Sequence, residues 1–155
     1  MKWVSLVKVM FVEPPKDFWF VMGEYLPPPY GLLQLAGYLE TKMPEAEIEV
    51  LDCQAMSLDW KTLGKRLESF NPDVVAASGF ATCNVYIAAR TLETAKKLKP
   101  EVLTIAGGLR KCYSGKKSIL DTDCVYCFNH VTICHLALGC LRLLRCLPIL
   151  RQLCC

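Results

Sequence analysis

Residues 4–12 read V-S-L-V-K-V-M-F-V, almost unbroken in β-branched and large apolar side chains, the pattern of a strand buried on both faces. Over residues 31–42 the period changes. Leu32, Leu35, Ala36 and Leu39 recur at i, i+3, i+4 and i+7, one face of a helix, and Pro44 halts it. Residues 46–52 alternate Ile48 and Val50 with Glu47 and Glu49, which predicts a half-covered or edge strand. A second helix follows, capped by Ser57 or Asp59, with Leu58, Leu63 and Leu67 inward and Asn71-Pro72 at its end. Residues 73–81 form a third buried strand. Residues 84–98 form a third helix with Ala88, Leu92 and Ala95 on one side, and lysines gather at its C-terminal end, where they suit the helix dipole. Residues 102–108, V-L-T-I-A-G-G, are a fourth strand.

The order β-α-β-α-β-α-β predicts an α/β domain with helices on both faces of a parallel sheet. Right-handed crossovers leave a doubly wound, flavodoxin-like order as the natural one. Ligands of such sheets bind beyond the carboxyl ends of the strands. Three unusual stretches sit there: residues 13–30 with their Pro27-Pro28-Pro29 run, residues 78–82, and Gly107-Gly108.

Composition divides the chain in two. Residues 1–108 carry 11 Lys and Arg against 13 Asp and Glu, and residues 109–155 carry 7 against 2. Eight of the ten cysteines also follow residue 108. The first part reads as a reduced, cytoplasmic protein. No secretory signal opens the chain, and no apolar run reaches the length of a membrane span.

Each strand-end feature has a ligand reading and a plainer one. Ser78, Gly79, Phe80 and Thr82 would let a flat ligand approach the backbone and hydrogen-bond to it, or Thr82 simply caps the third helix. Gly107 and Gly108 permit close approach, or make an ordinary turn. Neither is a phosphate loop, since GxxxxGK[ST] and GxGxxG are absent. Asp52 sits where nucleotide-binding folds place a ribose acid, but it more simply starts a turn. Glu13 resembles one acid of a receiver-type cluster, with no matching pair expected beside it. Phe18, Trp19, Phe20 and Tyr25 crowd the first loop and would floor a large flat ligand or cover the core. The histidines, His130 and His135, both lie in the last third. By its own residues the chain reads as a binding module without catalytic machinery.

Together, "KVMFVEPP", "YLPPPYGLLQLAGYLE", "EIEVLD", "NPDVVAASGFAT" and "VLTIAGG" resemble the N-terminal cobalamin-binding domain of cobalamin-dependent radical S-adenosylmethionine proteins, over roughly residues 7–108. The resemblance implies a Rossmann-like domain whose first loop lies below the corrin ring. It implies cofactor contacts at Glu13, Pro14, Tyr30, Gly31, Ser78, Gly79, Phe80, Thr82, Gly107 and Gly108. Relatives of the methionine synthase type ligate cobalt through an Asp-x-His-x-x-Gly loop. Residues 1–129 contain no histidine, so the resemblance implies cobalamin held without a histidine ligand. The neighbouring radical barrel of such enzymes carries a Cys-x3-Cys-x2-Cys iron–sulfur motif and uses S-adenosylmethionine, commonly for methyl transfer. Cys124 and Cys127 have the second spacing, but position 120 is Leu. The chain is therefore expected to be the corrinoid-holding part of a larger enzyme, not catalytic alone, with the barrel as the missing partner. Nucleic acid is not an expected partner.

Residues 109–155 do not continue the resemblance. They are expected to be an atypical basic, cysteine-rich tail, out of its evolved frame or poorly ordered, so that the domain ends without a fifth strand and leaves the fourth strand's edge open. Two other readings are a zinc site at Cys124, Cys127, His130 and Cys134 and a basic amphipathic helix over residues 136–153. The rival functions for the domain are a flavodoxin-like or receiver-like signalling domain and a protein-interaction module without cofactor.

Overall fold

The computed structural model describes residues 6–15, 28–78, 84–107 and 124–126. They form β1 (Lys8–Glu13), α1 (Tyr30–Lys42), β2 (Glu47–Asp52), α2 (Trp60–Phe70), β3 (Val74–Ser78), α3 (Asn84–Leu98), β4 (Leu103–Gly107) and β5 (Cys124–Tyr126). The sheet is parallel throughout, in the order β2-β1-β3-β4-β5. This is the doubly wound, flavodoxin-like arrangement predicted from the hydrophobic pattern.

The elements follow from local chemistry. Asp59 accepts a hydrogen bond from the Thr62 N–H at 2.8 Å and so caps α2. Asn71 ends that helix in the left-handed conformation (φ 51°), a geometry asparagine tolerates better than most residues. In α1, Leu32 and Ala36 are buried, and Leu35 and Leu39 pack on the same cluster. Helix α3 has the predicted bounds, with Ala88, Leu92 and Ala95 buried.

Alternation along the strands sends side chains to two cores. Met10, Val12, Leu51, Val75, Ala77 and Ala106 meet α2 and α3. Val9, Phe11, Val74 and Ala76 meet α1 on the other face, with Ile48, Val50, Leu103 and Ile105 half-buried beside them. At the amino end of the sheet, Asp73 accepts from the Lys8 backbone N–H at 3.0 Å and pairs with the Lys99 ammonium at 2.9 Å.

Strand β5 corrects the expectation of an open β4 edge. It lies within the segment set apart by composition, and it pairs Cys124, Val125 and Tyr126 with Ile105, Ala106 and Gly107. Three residues are too short to show a period, which is why the strand was not foreseen. Strand β2, whose alternation predicted a half-covered or edge strand, is at the other edge.

Candidate functional site

The five strands end level with one another. Glu13 pairs with Asp52, Ser78 with Gly107, and Gly107 with Tyr126. One residue past the Val12–Ala77 pair brings Ser78 level with Glu13. The carboxyl edge is therefore a single row across the sheet: Asp52, Glu13, Ser78, Gly107, Tyr126. Chain direction reverses its lateral progress between β1 and β3, so the switch point of the fold lies between Glu13 and Ser78.

The row has a polar half and a small half. Glu13 and Asp52 occupy alternate positions to Val12 and Leu51, which places both on the α1 face. The Gln54 side-chain amide Nε2 donates to Glu13 Oε1 at 3.2 Å. Asp52 Oδ1 accepts from the backbone N–H groups of Gln54 (3.1 Å) and Ala55 (3.0 Å), an Asx turn at the end of β2. The Cys53 N–H donates to the Glu13 carbonyl at 3.0 Å, so the acid-bearing turn is tied to β1. Burial first, and then the charge of Asp52, push the Glu13 carboxyl up to about 7. Cys53 is 1% exposed. Burial, followed by the charges of Asp52 and Glu13, pushes its thiol up to about 12, which makes it a poor nucleophile.

Across the switch point the row is made of Ser78 and Gly107, over Ala76, Ala77 and Ala106. Nothing bulky rises from these positions, so a flat ligand can approach the backbone closely. The start of α1 borders the same edge. Pro28 and Pro29 lead into it, and the carbonyl of Pro29 accepts from the Leu32 N–H at 2.9 Å. Tyr30 is 72% exposed, and a Cβ at Gly31 would meet no atom within 4 Å. Met56 and Tyr86, in the β2–α2 turn and the first turn of α3, are also exposed. This edge therefore carries an apolar rim.

Of the sequence-predicted contacts, Glu13, Ser78 and Gly107 share the row, and Tyr30 and Gly31 open α1 at the same end. Pro14 is fully buried and presents no surface. Gly79, Phe80, Thr82 and Gly108 lie outside the described residues, as do Cys127, His130 and Cys134 of the alternative zinc set; Cys124 begins β5. Asp52, the register partner of Glu13, places one acid beside it. Two strands each ending in an acid, in a sheet read as parallel, were the signal available for it. Among the described residues no group of three or more His, Cys, Asp or Glu is arranged to hold a metal. No described helix is long and apolar enough to cross a membrane.

A groove of about 170 Å³ opens at the opposite, amino end, between the C-terminal ends of α2 and α3, lined by Leu67, Asn71, Ala95, Leu98 and Val102. It lies far from the strand ends and is too small for a large cofactor.

Parallel order, aligned strand ends and small residues at the switch point are the features of a ligand-binding doubly wound domain. The B12 binding domain family matches residues 22–126, and the chain belongs to that family. Its match reaches the end of β5. An uncharacterised methyltransferase of Pyrococcus horikoshii is 24% identical over 124 residues, covering 79% of this chain and 26% of that protein. The anaerobic magnesium-protoporphyrin IX monomethyl ester cyclase of Rubrivivax gelatinosus is 29% identical over 82 residues, covering 53% of this chain and 14% of that protein. The chain thus spans about a quarter or less of the length of these relatives. Among solved structures, a cobalamin-binding protein from Desulfitobacterium hafniense DCB-2 shares the fold, with a TM-score of 0.52 and 15% identity over 88% of this chain and 58% of that one.

The residues present fit a corrinoid. The small half of the row admits a flat group, and the rim is apolar. Residues 1–129 include no histidine.

Proposed function

We propose that this chain is the corrinoid-holding module of a radical S-adenosylmethionine enzyme and that the enzyme transfers methyl groups. The observation that carries the reading is the level row of strand ends, with Ser78 and Gly107 at the switch point inside the span matched by the B12 binding domain family. A methyltransferase among the relatives supports the reaction class, and the sequence resemblance supports the radical context.

Ser78 offers a hydroxyl donor and acceptor, and Gly107 offers a backbone that a ligand can touch. Tyr30 and Gly31 border the crevice from α1, and Glu13 with Gln54 form its polar wall. Gly79, Phe80, Thr82 and Gly108 complete the proposed contact set. When bound, a corrinoid supplies a cobalt centre able to carry a methyl group between donor and acceptor. The protein's part is to hold the ring, exclude water from one face and leave the other accessible.

Receiver-like signalling fits less well. Such a domain needs an acid at the end of β3 as phosphoacceptor, and Ser78 stands there. Titration of the purified chain with hydroxocobalamin and, in parallel, with flavin mononucleotide separates the readings. Retention of the corrinoid's visible spectrum through gel filtration, with flavin lost, is the expected result. Retention of flavin with loss of the corrinoid would overturn the proposal.

A further inference from the structure

Glu13 flanks the switch point, and the Gln54 side chain stands beside it. Glu13 Oε1 accepts from Gln54 Nε2 at 3.2 Å, and Oε2 has no partner among the described residues. The Gln54 backbone is anchored by Asp52 Oδ1, so its amide is held beside the carboxyl from a fixed turn. Among the described residues, the titratable group acting on Glu13 is Asp52, at the end of β2. Strand β3 ends in Ser78, and the first turn of α1 carries no charge. Among the described residues, no cation acts on Glu13 to favour its ionised form.

We propose that Glu13 and Gln54 together recognise a primary carboxamide on the periphery of the bound corrinoid, with Glu13 as the donor to its carbonyl. This inference rests on the corrinoid reading above and deepens it. The chemistry is complementary. A protonated carboxyl donates through one oxygen and accepts through the other, as a primary amide does through its nitrogen and oxygen. An ionised carboxyl only accepts, so it meets the amide carbonyl with like polarity. The burial and neighbouring charge that favour the protonated form near neutral pH come from the fold, before any ligand arrives. Corrinoid affinity therefore falls as Glu13 loses its proton.

The test uses the whole chain and cyanocobalamin, which has no titrating group of its own near neutrality. Affinity is measured between about pH 6 and about pH 8 for the wild type, Glu13→Gln and Glu13→Ala. The wild type is expected to weaken about tenfold over that range, the worth of one hydrogen bond. Glu13→Gln keeps both a donor and an acceptor, so it should bind at the wild type's low-pH affinity throughout. Glu13→Ala should be weak and flat. A wild-type profile without pH dependence, or one that Glu13→Gln reproduces, overturns the inference and leaves the corrinoid reading standing. Absence of binding by all three proteins at every pH overturns both.

Discussion

Glu13 and Cys53 sit one hydrogen bond apart, and burial affects them in opposite practical senses. A carboxyl whose pKa is raised by folding binds its proton more tightly in the folded state than in the unfolded one. Its favourable contribution is full below the ordinary value of 4.5 and is lost as pH rises to about 7. Because Glu13 is only partly buried, the resulting cost above neutrality is about 1–2 kcal/mol after solvent screening. Glu13→Gln should therefore raise the Tm above pH 7 by several degrees and change it little near pH 4.5. Thermal melts across that range check this, and a shift of constant size would count against it. Cys53 is expected to resist alkylation in the folded chain, since its thiol is 1% exposed and raised to about 12. Peptide mapping after iodoacetamide, with and without denaturant, reads the difference. The Glu13–Asp52 contact escaped the sequence because it spans 39 positions (52 − 13) and depends on strand register. Register is set by packing in three dimensions, which no local pattern reports.

Elements were legible in proportion to their length. Helix α3 shows four turns of periodic apolar residues, and its predicted bounds match. Strand β5, at three residues, offers no period, and its composition pointed away from the fold. The helix caps lie between these cases. Ser57 and Asp59 were equal candidates for α2, and geometry decides for Asp59, whose carboxylate reaches the Thr62 N–H while Ser57 adopts φ 51° in the preceding turn. Asp59→Ala removes the cap and should lower the Tm by a few degrees. In α1, Gly37 lies in mid-helix with open space where a Cβ would stand. Gly37→Ala should stabilise the chain by about 0.5–1 kcal/mol, because alanine narrows the unfolded ensemble without a clash. Chemical denaturation of the two variants should move the midpoint in opposite directions, with the slope unchanged.

For the molecule as a whole, stability and binding draw on different parts of the same sheet. Sequence pattern showed the sheet's direction and its core, so the carboxyl edge, where ligands of such sheets bind, was legible. It did not show which strand-end residues stand level, and the proposed site rests on that level row. Ser78 and Gly107 end β3 and β4 above the two cores and contribute little bulk to either. Valine suits a strand, so Ser78→Val and Gly107→Val should fold with a Tm close to that of the wild type. Each should still lose at least tenfold in corrinoid affinity, because a branched side chain fills the approach and, at Ser78, a donor is removed. Leu63→Ala acts the other way. Leu63 is fully buried beneath α2 on the far face, and its truncation should cost about 2–5 kcal/mol. The affinity of the molecules that remain folded should be unchanged. Calorimetry of binding beside thermal melts separates the two effects. If Ser78→Val and Gly107→Val bound corrinoid as the wild type does, the row would be a structural seam and the cofactor would have to sit elsewhere.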